Sequence, residues 1–194
     1  VIDIDLSAIR PMVACPHSPD NVKSVRELSG IKVDQVCIGS CTNSSYVDMM
    51  KVAYILKGRT VSENVSLSVA CGSKQVYNMI AANGALADII ASGARILECA
   101  CGPCIGMGQS PNSGGISLRT AGTQDAQIYL VSPELAAYSA IKGVLSDPTE
   151  LGCEPEIKLP DKFLINDNMI VPPAPTEKAG DIEVVRGPNI KPFP

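Results

Sequence analysis

Tryptophan is absent from this chain, and aromatic side chains as a whole are few: five Tyr and two Phe among 194 residues. A surface that stacks unpaired bases needs more rings than this, so a platform for single-stranded nucleic acid is excluded. Positive charge is also short. Sixteen Lys and Arg stand against twenty Asp and Glu, and the net charge of −4 has the wrong sign for tracking a phosphate backbone. No apolar run reaches the roughly 18–20 residues that a membrane-crossing helix needs. Nucleic acid and membrane both drop out as partners. Histidine is nearly missing, with His17 alone. The chain opens at Val1, without a Met and without the charged and apolar stretches of a signal peptide. Val1 therefore reads as a cut end, and the chain as a piece of a larger protein.

What is present is enough apolar material for a core. Hydrophobic residues make up 45% and charged residues 19%, which suits one generous domain or two small ones. Eight cysteines stand at positions 15, 37, 41, 71, 99, 101, 104 and 153. A chain with such a core needs no disulfide staples, and several cysteines lie inside apolar runs such as Val36-Cys37-Ile38. They suit a reduced cytosolic or organellar protein in which some thiolates serve metal or redox chemistry.

Strand and helix signals alternate through the middle of the chain. Val33–Gly39 is β-prone and closed by glycine; Thr42-Asn43-Ser44-Ser45 are all good helix caps; a helical pattern then runs over 46–57. A strand over 65–70 precedes helices over 74–82 and 85–91, parted by Asn83-Gly84. A third strand covers 95–100, which places Cys99 inside it, and a fourth covers 127–131. A helix over 133–145 opens with proline at its first turn. Strands parted by such helices predict an α/β fold, a mostly parallel sheet with flanking helices. From Asp147 onward the character changes, because nine of the fifteen prolines fall in the last 48 residues. That segment reads as extended chain with one edge strand at 182–186. The predicted organisation is an α/β domain over 1–180 and an extended linker over 181–194 that leads to a further domain.

In open α/β sheets, ligands bind beyond the carboxyl ends of the strands. Three predicted strands deliver cysteine there: Cys41 after the first, Cys71 after the second, Cys101 and Cys104 after the third. Thiols from separate loops converging on one edge are what a metal centre needs, and glycine-rich turns supply amides that offset thiolate charge. Cys101-Gly-Pro-Cys104 is also the pattern of a thioredoxin-like redox motif. Here, however, it runs into Ile-Gly-Met-Gly-Gln-Ser-Pro, a poor helix, and no tryptophan precedes it. A closed zinc site of Cys41, Cys71, Cys101 and Cys104 is a further reading. For Cys15, Cys37, Cys99 and Cys153 the default is a small buried hydrophobe.

Ile38-Gly-Ser-Cys-Thr-Asn-Ser44 together with Cys101-Gly-Pro-Cys-Ile-Gly106 resembles the aconitase family of iron–sulfur hydro-lyases. Pro16-His-Ser-Pro-Asp-Asn21 and Val131-Ser-Pro-Glu134 fit the same family, and the resemblance covers nearly the whole chain as the third domain of those enzymes. It implies that Cys41, Cys101 and Cys104 bind a 4Fe-4S cluster and that Cys71 does not. Three protein thiolates for four irons leave one iron open as a Lewis acid, which chelates a hydroxy-acid and eases loss of its hydroxide. Within the family, Cys-Gly-Pro-Cys-Ile-Gly favours aconitate hydratase, which interconverts citrate and isocitrate in the tricarboxylic acid cycle. Homoaconitase and the large subunit of isopropylmalate isomerase are the alternatives. The implied partners are a tri- or dicarboxylic hydroxy-acid and the remaining aconitase domains.

One departure stands out. The family carries an asparagine and two arginines in a loop that grips substrate carboxylates, whereas here Thr120 runs directly into Ala121-Gly-Thr-Gln-Asp125. The catalytic base also belongs to other domains, so the isolated chain is expected to turn over no substrate. His17 reads as a surface or inter-domain residue, Asn43 and Ser44 as helix caps with a second option of bonding a cluster sulfur, and Arg119 as a solvated arginine.

Overall fold

The computed structural model describes residues 1–118, 124–173, 175–181 and 187. Arg119, the edge strand expected at 182–186 and the linker beyond Gly187 lie outside the described residues. The chain divides into two units, 1–164 and 165–194. In the second, a 3-10 turn covers Thr176–Asp181, and an Asn166 side chain accepts from the Asn168 amide.

The first unit opens with a small antiparallel hairpin, β1 (Met12–Ala14) and β2 (Val22–Ser24). Ala14 exchanges backbone hydrogen bonds with Leu130, which pins the hairpin to the far side of the main sheet. That sheet contains β3 (Gln35–Gly39), β4 (Ser66–Ala70), β5 (Arg95–Leu97), β6 (Ile116–Leu118) and β7 (Gln127–Tyr129). The spatial order is β5-β4-β3-β6-β7, and every pairing is parallel. β3 lies in the middle and all five of its residues are buried, which is why it reads as a continuous apolar run rather than an alternating one.

Four α-helices among the described residues complete the unit: α1 (Tyr46–Leu56), α2 (Lys74–Ala82), α3 (Ala85–Ala91) and α4 (Pro133–Lys142). α1 packs against the other three, and α4 lies on β3. α1 begins in a capping box: the Ser45 hydroxyl accepts from the Asp48 amide at 3.2 Å, and the Asp48 carboxylate accepts from the Ser45 amide at 2.9 Å. Met49, Val52, Ala53 and Leu56 then recur at helical spacing and are all buried. They meet Ile38, Ile80, Ile89, Leu118, Leu135 and Leu145 in one core.

The structure amends the sequence reading in three places. α4 stops at Lys142 rather than 145, because Gly143 takes a left-handed conformation (φ +74°) and its amide closes the last turn on the Ser139 carbonyl. Leu145 then turns back into the core. β5 ends at Leu97, so Cys99 lies beyond the strand and not in it. β6 was hidden in the glycine-rich stretch. Its Ile116 amide donates to the Asp34 carboxylate at 2.7 Å, and Ser117 donates to the Gln35 side chain at 3.3 Å. These partners are 82 residues away in sequence, and no local pattern announces them.

Candidate functional site

From β3 the chain steps outward through β4 to β5, then crosses back to place β6 on the other side of β3. The order therefore reverses between β3 and β6, which opens a crevice beyond their carboxyl ends. Gly39 closes β3 with φ +94°, and a Cβ there would lie 1.8 Å from the Ala70 carbonyl oxygen, so only glycine fits. Ser40 follows with φ +88°. This left-handed pair turns the next residue, Cys41, outward to an exposed position.

The loop after β5 returns to the same place. Pro103–Ile105 form a single 3-10 turn that Gly106 ends, which is not the helix opening that a thioredoxin-like motif requires. Cys101 is exposed and Cys104 half-buried, with their sulfurs 3.5 Å apart. One of the two thiols donates to the other, and the contact with Cys101 holds Cys104 below the usual thiol range, with help from the Ser40 hydroxyl and the Gly102 amide. Cys101 is pushed up by the bond to Cys104 and by its charge, and further by the charge of Cys41. The charge of Cys41 thus reaches Cys101 although 60 residues separate them in sequence.

Cys71 has a different setting. It is fully buried, and burial pushes its thiol up to about 12, with a smaller push from Cys99 against the Tyr77 hydroxyl. Cys99 is half-buried and also raised, chiefly by burial. The Tyr77 hydroxyl donates to the Leu97 carbonyl, which ties α2 to the end of β5. A thiol that keeps its proton inside the core is a poor metal ligand. Cys15 and Cys37 are buried as expected. Cys153 is not. The left-handed Gly152 delivers it to the surface, where its sulfur lies 3.2 Å from the Tyr54 hydroxyl.

The remaining candidates sort as follows. The cap of α1 is Ser45, not Asn43 or Ser44. Asn43 has φ +52°, and the buried Ser44 hydroxyl donates to the Ser40 carbonyl. His17 is exposed and lines a cavity of about 300 Å³ with Cys15, Pro16, Pro19, Ile128 and Leu130, to which Cys41, Cys101 and Cys104 do not contribute. Sequence reasoning missed Ser40, whose hydroxyl lies 3.9 Å from the Cys41 sulfur. A serine between Gly and Cys carries no signal of its own.

Among the described residues no group of three or more His, Cys, Asp or Glu side chains is gathered to hold a single metal ion. Cys41, Cys101 and Cys104 come from two loops, and only Cys101 and Cys104 are in contact. A polynuclear sulfur-bound group would fit this donor set, because all three donors are soft, two are exposed and the Gly102 amide is directed at Cys101 and Cys104.

Residues 22–143 match the model of the aconitase family (aconitate hydratase). Among curated proteins, the chain is 42% identical over 160 residues to the 3-isopropylmalate dehydratase large subunit of Moorella thermoacetica, covering 77% of this chain and 38% of that protein. It is 39% identical over 160 residues to a probable 3-isopropylmalate dehydratase large subunit of Methanothermobacter thermautotrophicus, with coverage of 78% and 38%. The homoaconitase large subunit of Thermus thermophilus is 40% identical over 159 residues, with coverage of 77% and 38%. The chain therefore spans well under half the length of these relatives.

Proposed function

We propose, because the chain belongs to the aconitase family and brings Cys41 and the Cys101–Cys104 pair to one sheet edge, that it is the cluster-bearing domain of a hydro-lyase. Cys41, Cys101 and Cys104 would hold a 4Fe-4S cluster, with Cys71 left out. When bound, such a cluster offers a Lewis-acidic iron free of protein ligands, to which a hydroxy-acid can bring its carboxylate and hydroxyl. The residues of this chain do the holding. The left-handed turn at Gly39-Ser40 aims Cys41, and the 3-10 turn at Pro103–Ile105 aims Cys104. The contact between Cys101 and Cys104 holds Cys104 below the usual thiol range and favours the form that binds metal. The helix that starts at Ser45 directs its positive end toward the Cys41 turn.

The names of the relatives favour a hydroxy-acid of the 3-isopropylmalate or homoaconitate kind over citrate, which the Cys-Gly-Pro-Cys-Ile-Gly motif had favoured. Those relatives are called large subunits, so a second subunit is the proposed partner, beside the remaining domains of the same enzyme. The base that removes the carbon-bound proton lies on one of these, and the chain alone is inactive. The observation that carries the reading is the pair Cys101 and Cys104 in contact at the sheet edge to which the β3 turn also delivers an exposed Cys41. Anaerobic reconstitution with iron and sulfide tests it. Wild type and Cys71→Ser should develop the optical and paramagnetic signature of a 4Fe-4S cluster, while Cys41→Ser, Cys101→Ser and Cys104→Ser should not. No cluster in wild type, or a cluster lost in Cys71→Ser, overturns it.

A further inference from the structure

The turn that carries Cys41 is closed from within by Ser44. Its hydroxyl donates to the Ser40 carbonyl four residues back, so that Cys41, Thr42 and Asn43 are held in one small loop. The chain enters that loop at Ser40 with φ +88° and leaves it at Asn43 with φ +52°. Both angles are costly for a residue with a Cβ, and a bend of this kind persists only where its surroundings fix it. Ser44 is 3% exposed, and it is the point at which two strand ends meet. Its carbonyl accepts from the Gly72 amide at 3.2 Å, just past β4, while the Ser40 amide donates to the Ala70 carbonyl at 3.0 Å. A Cβ at Gly72 would lie 2.9 Å from the Ser44 hydroxyl oxygen, and one at Gly39 would lie 3.1 Å from the Ser44 β-carbon. Two glycines thus make the room that Ser44 fills. The exposed thiol of Cys41 stands on a turn braced against the end of a central strand.

We propose that Ser44 is a positioning residue: its buried hydroxyl closes the Cys41 turn on Ser40, its backbone docks that turn on the end of β4, and together they fix where the Cys41 sulfur stands. This rests on the cluster-binding reading above, and it assigns a role to a residue that binds no metal itself. It also gives the turn after β4 a part other than supplying a ligand. Cys71 keeps to the core while the Gly72 amide beside it anchors Ser44. Alanine at 44 keeps the backbone bond to Gly72 and loses the donor that closes the turn.

The test compares Ser44→Ala with Ser132→Ala in the full chain, read in two ways. Ser132 caps α4 by accepting from the Leu135 amide at 3.2 Å, so its loss weakens the fold at a helix that carries none of the cysteines. Urea unfolding of the metal-free protein reports the fold. Bleaching of the reconstituted cluster's visible absorbance by an iron chelator reports the grip. Both variants should unfold at a lower urea midpoint than wild type. Only Ser44→Ala should bleach faster, about tenfold, the effect of one lost hydrogen bond. A Ser44→Ala cluster as long-lived as wild type overturns the proposal. So does a Ser132→Ala cluster that bleaches as fast as that of Ser44→Ala, or a Ser44→Ala chain that is unfolded without urea, since the role would then belong to the fold alone. A wild-type chain that assembles no cluster overturns the cluster-binding reading and this proposal with it, before any variant is compared.

Discussion

Cys41 and Cys71 each follow the carboxyl end of a central strand, and β3 and β4, which lead to them, pair in register along their whole length. Yet Cys41 is exposed, and Cys71 is sealed in the core beside Cys99 and Tyr77. The backbone of the turn makes the difference. After β3, two left-handed residues swing the chain outward. After β4, the chain runs through Gly72 into the Ser73 cap of α2, and Gly72 packs so tightly that a Cβ would meet the Ser44 hydroxyl at 2.9 Å. Position at a sheet edge delivers a thiol to the region; the turn decides whether that thiol faces a ligand or the core.

The comparison can be broken in four ways. The largest effect expected is categorical: serine at 41, 101 or 104 abolishes cluster assembly, serine at 71 leaves it intact, and absorption spectra distinguish the two. Next comes reactivity. With its thiol pushed up to about 12 against an ordinary 9.0, Cys71 in the folded metal-free protein should alkylate about a thousandfold more slowly than an unperturbed cysteine, and Cys104 faster than one. Mass spectrometry of time-quenched iodoacetamide reactions at pH 8 would read both, and early labelling of Cys71 would erase the contrast. Third, Gly39→Ala drives a methyl group into the Ala70 carbonyl between the two thiol regions, and should lower stability by about 3 kcal/mol in urea unfolding. The fourth test is alkaline. Cys71 and Tyr77 are raised in the native state, so above about pH 9 the unfolded chain holds fewer protons than the folded one. Stability should fall as pH climbs from 9 toward 12, by up to about 1.4 kcal/mol per pH unit for each proton so held. A urea midpoint that is flat between pH 9 and 11 would contradict the burial of both groups.

The parallel sheet, the helix pair broken at Asn83-Gly84 and the edge on which the cysteines gather were legible in the sequence, because periodicity and turn residues are local signals. So was the family, since two motifs in order are specific. β6 and the hairpin of β1 and β2 were not. Each strand has three residues, too few for a period, and the bonds that define β6 run to Asp34 and Gln35 across the fold. Burial separates Cys71 from the trio, and burial is a property of packing that spacing does not encode. Ser40 was overlooked for a related reason: a left-handed serine looks like any other serine until the Ala70 carbonyl fixes its amide.

Both lateral strands of the sheet, β5 and β7, are only three residues long, and part of the β7 flank is taken by the bridge from Ala14 to Leu130. Such stubs offer little template for an incoming foreign strand. A long bare margin would let copies of the chain add to one another strand by strand into fibrils. Blunt margins keep those copies apart.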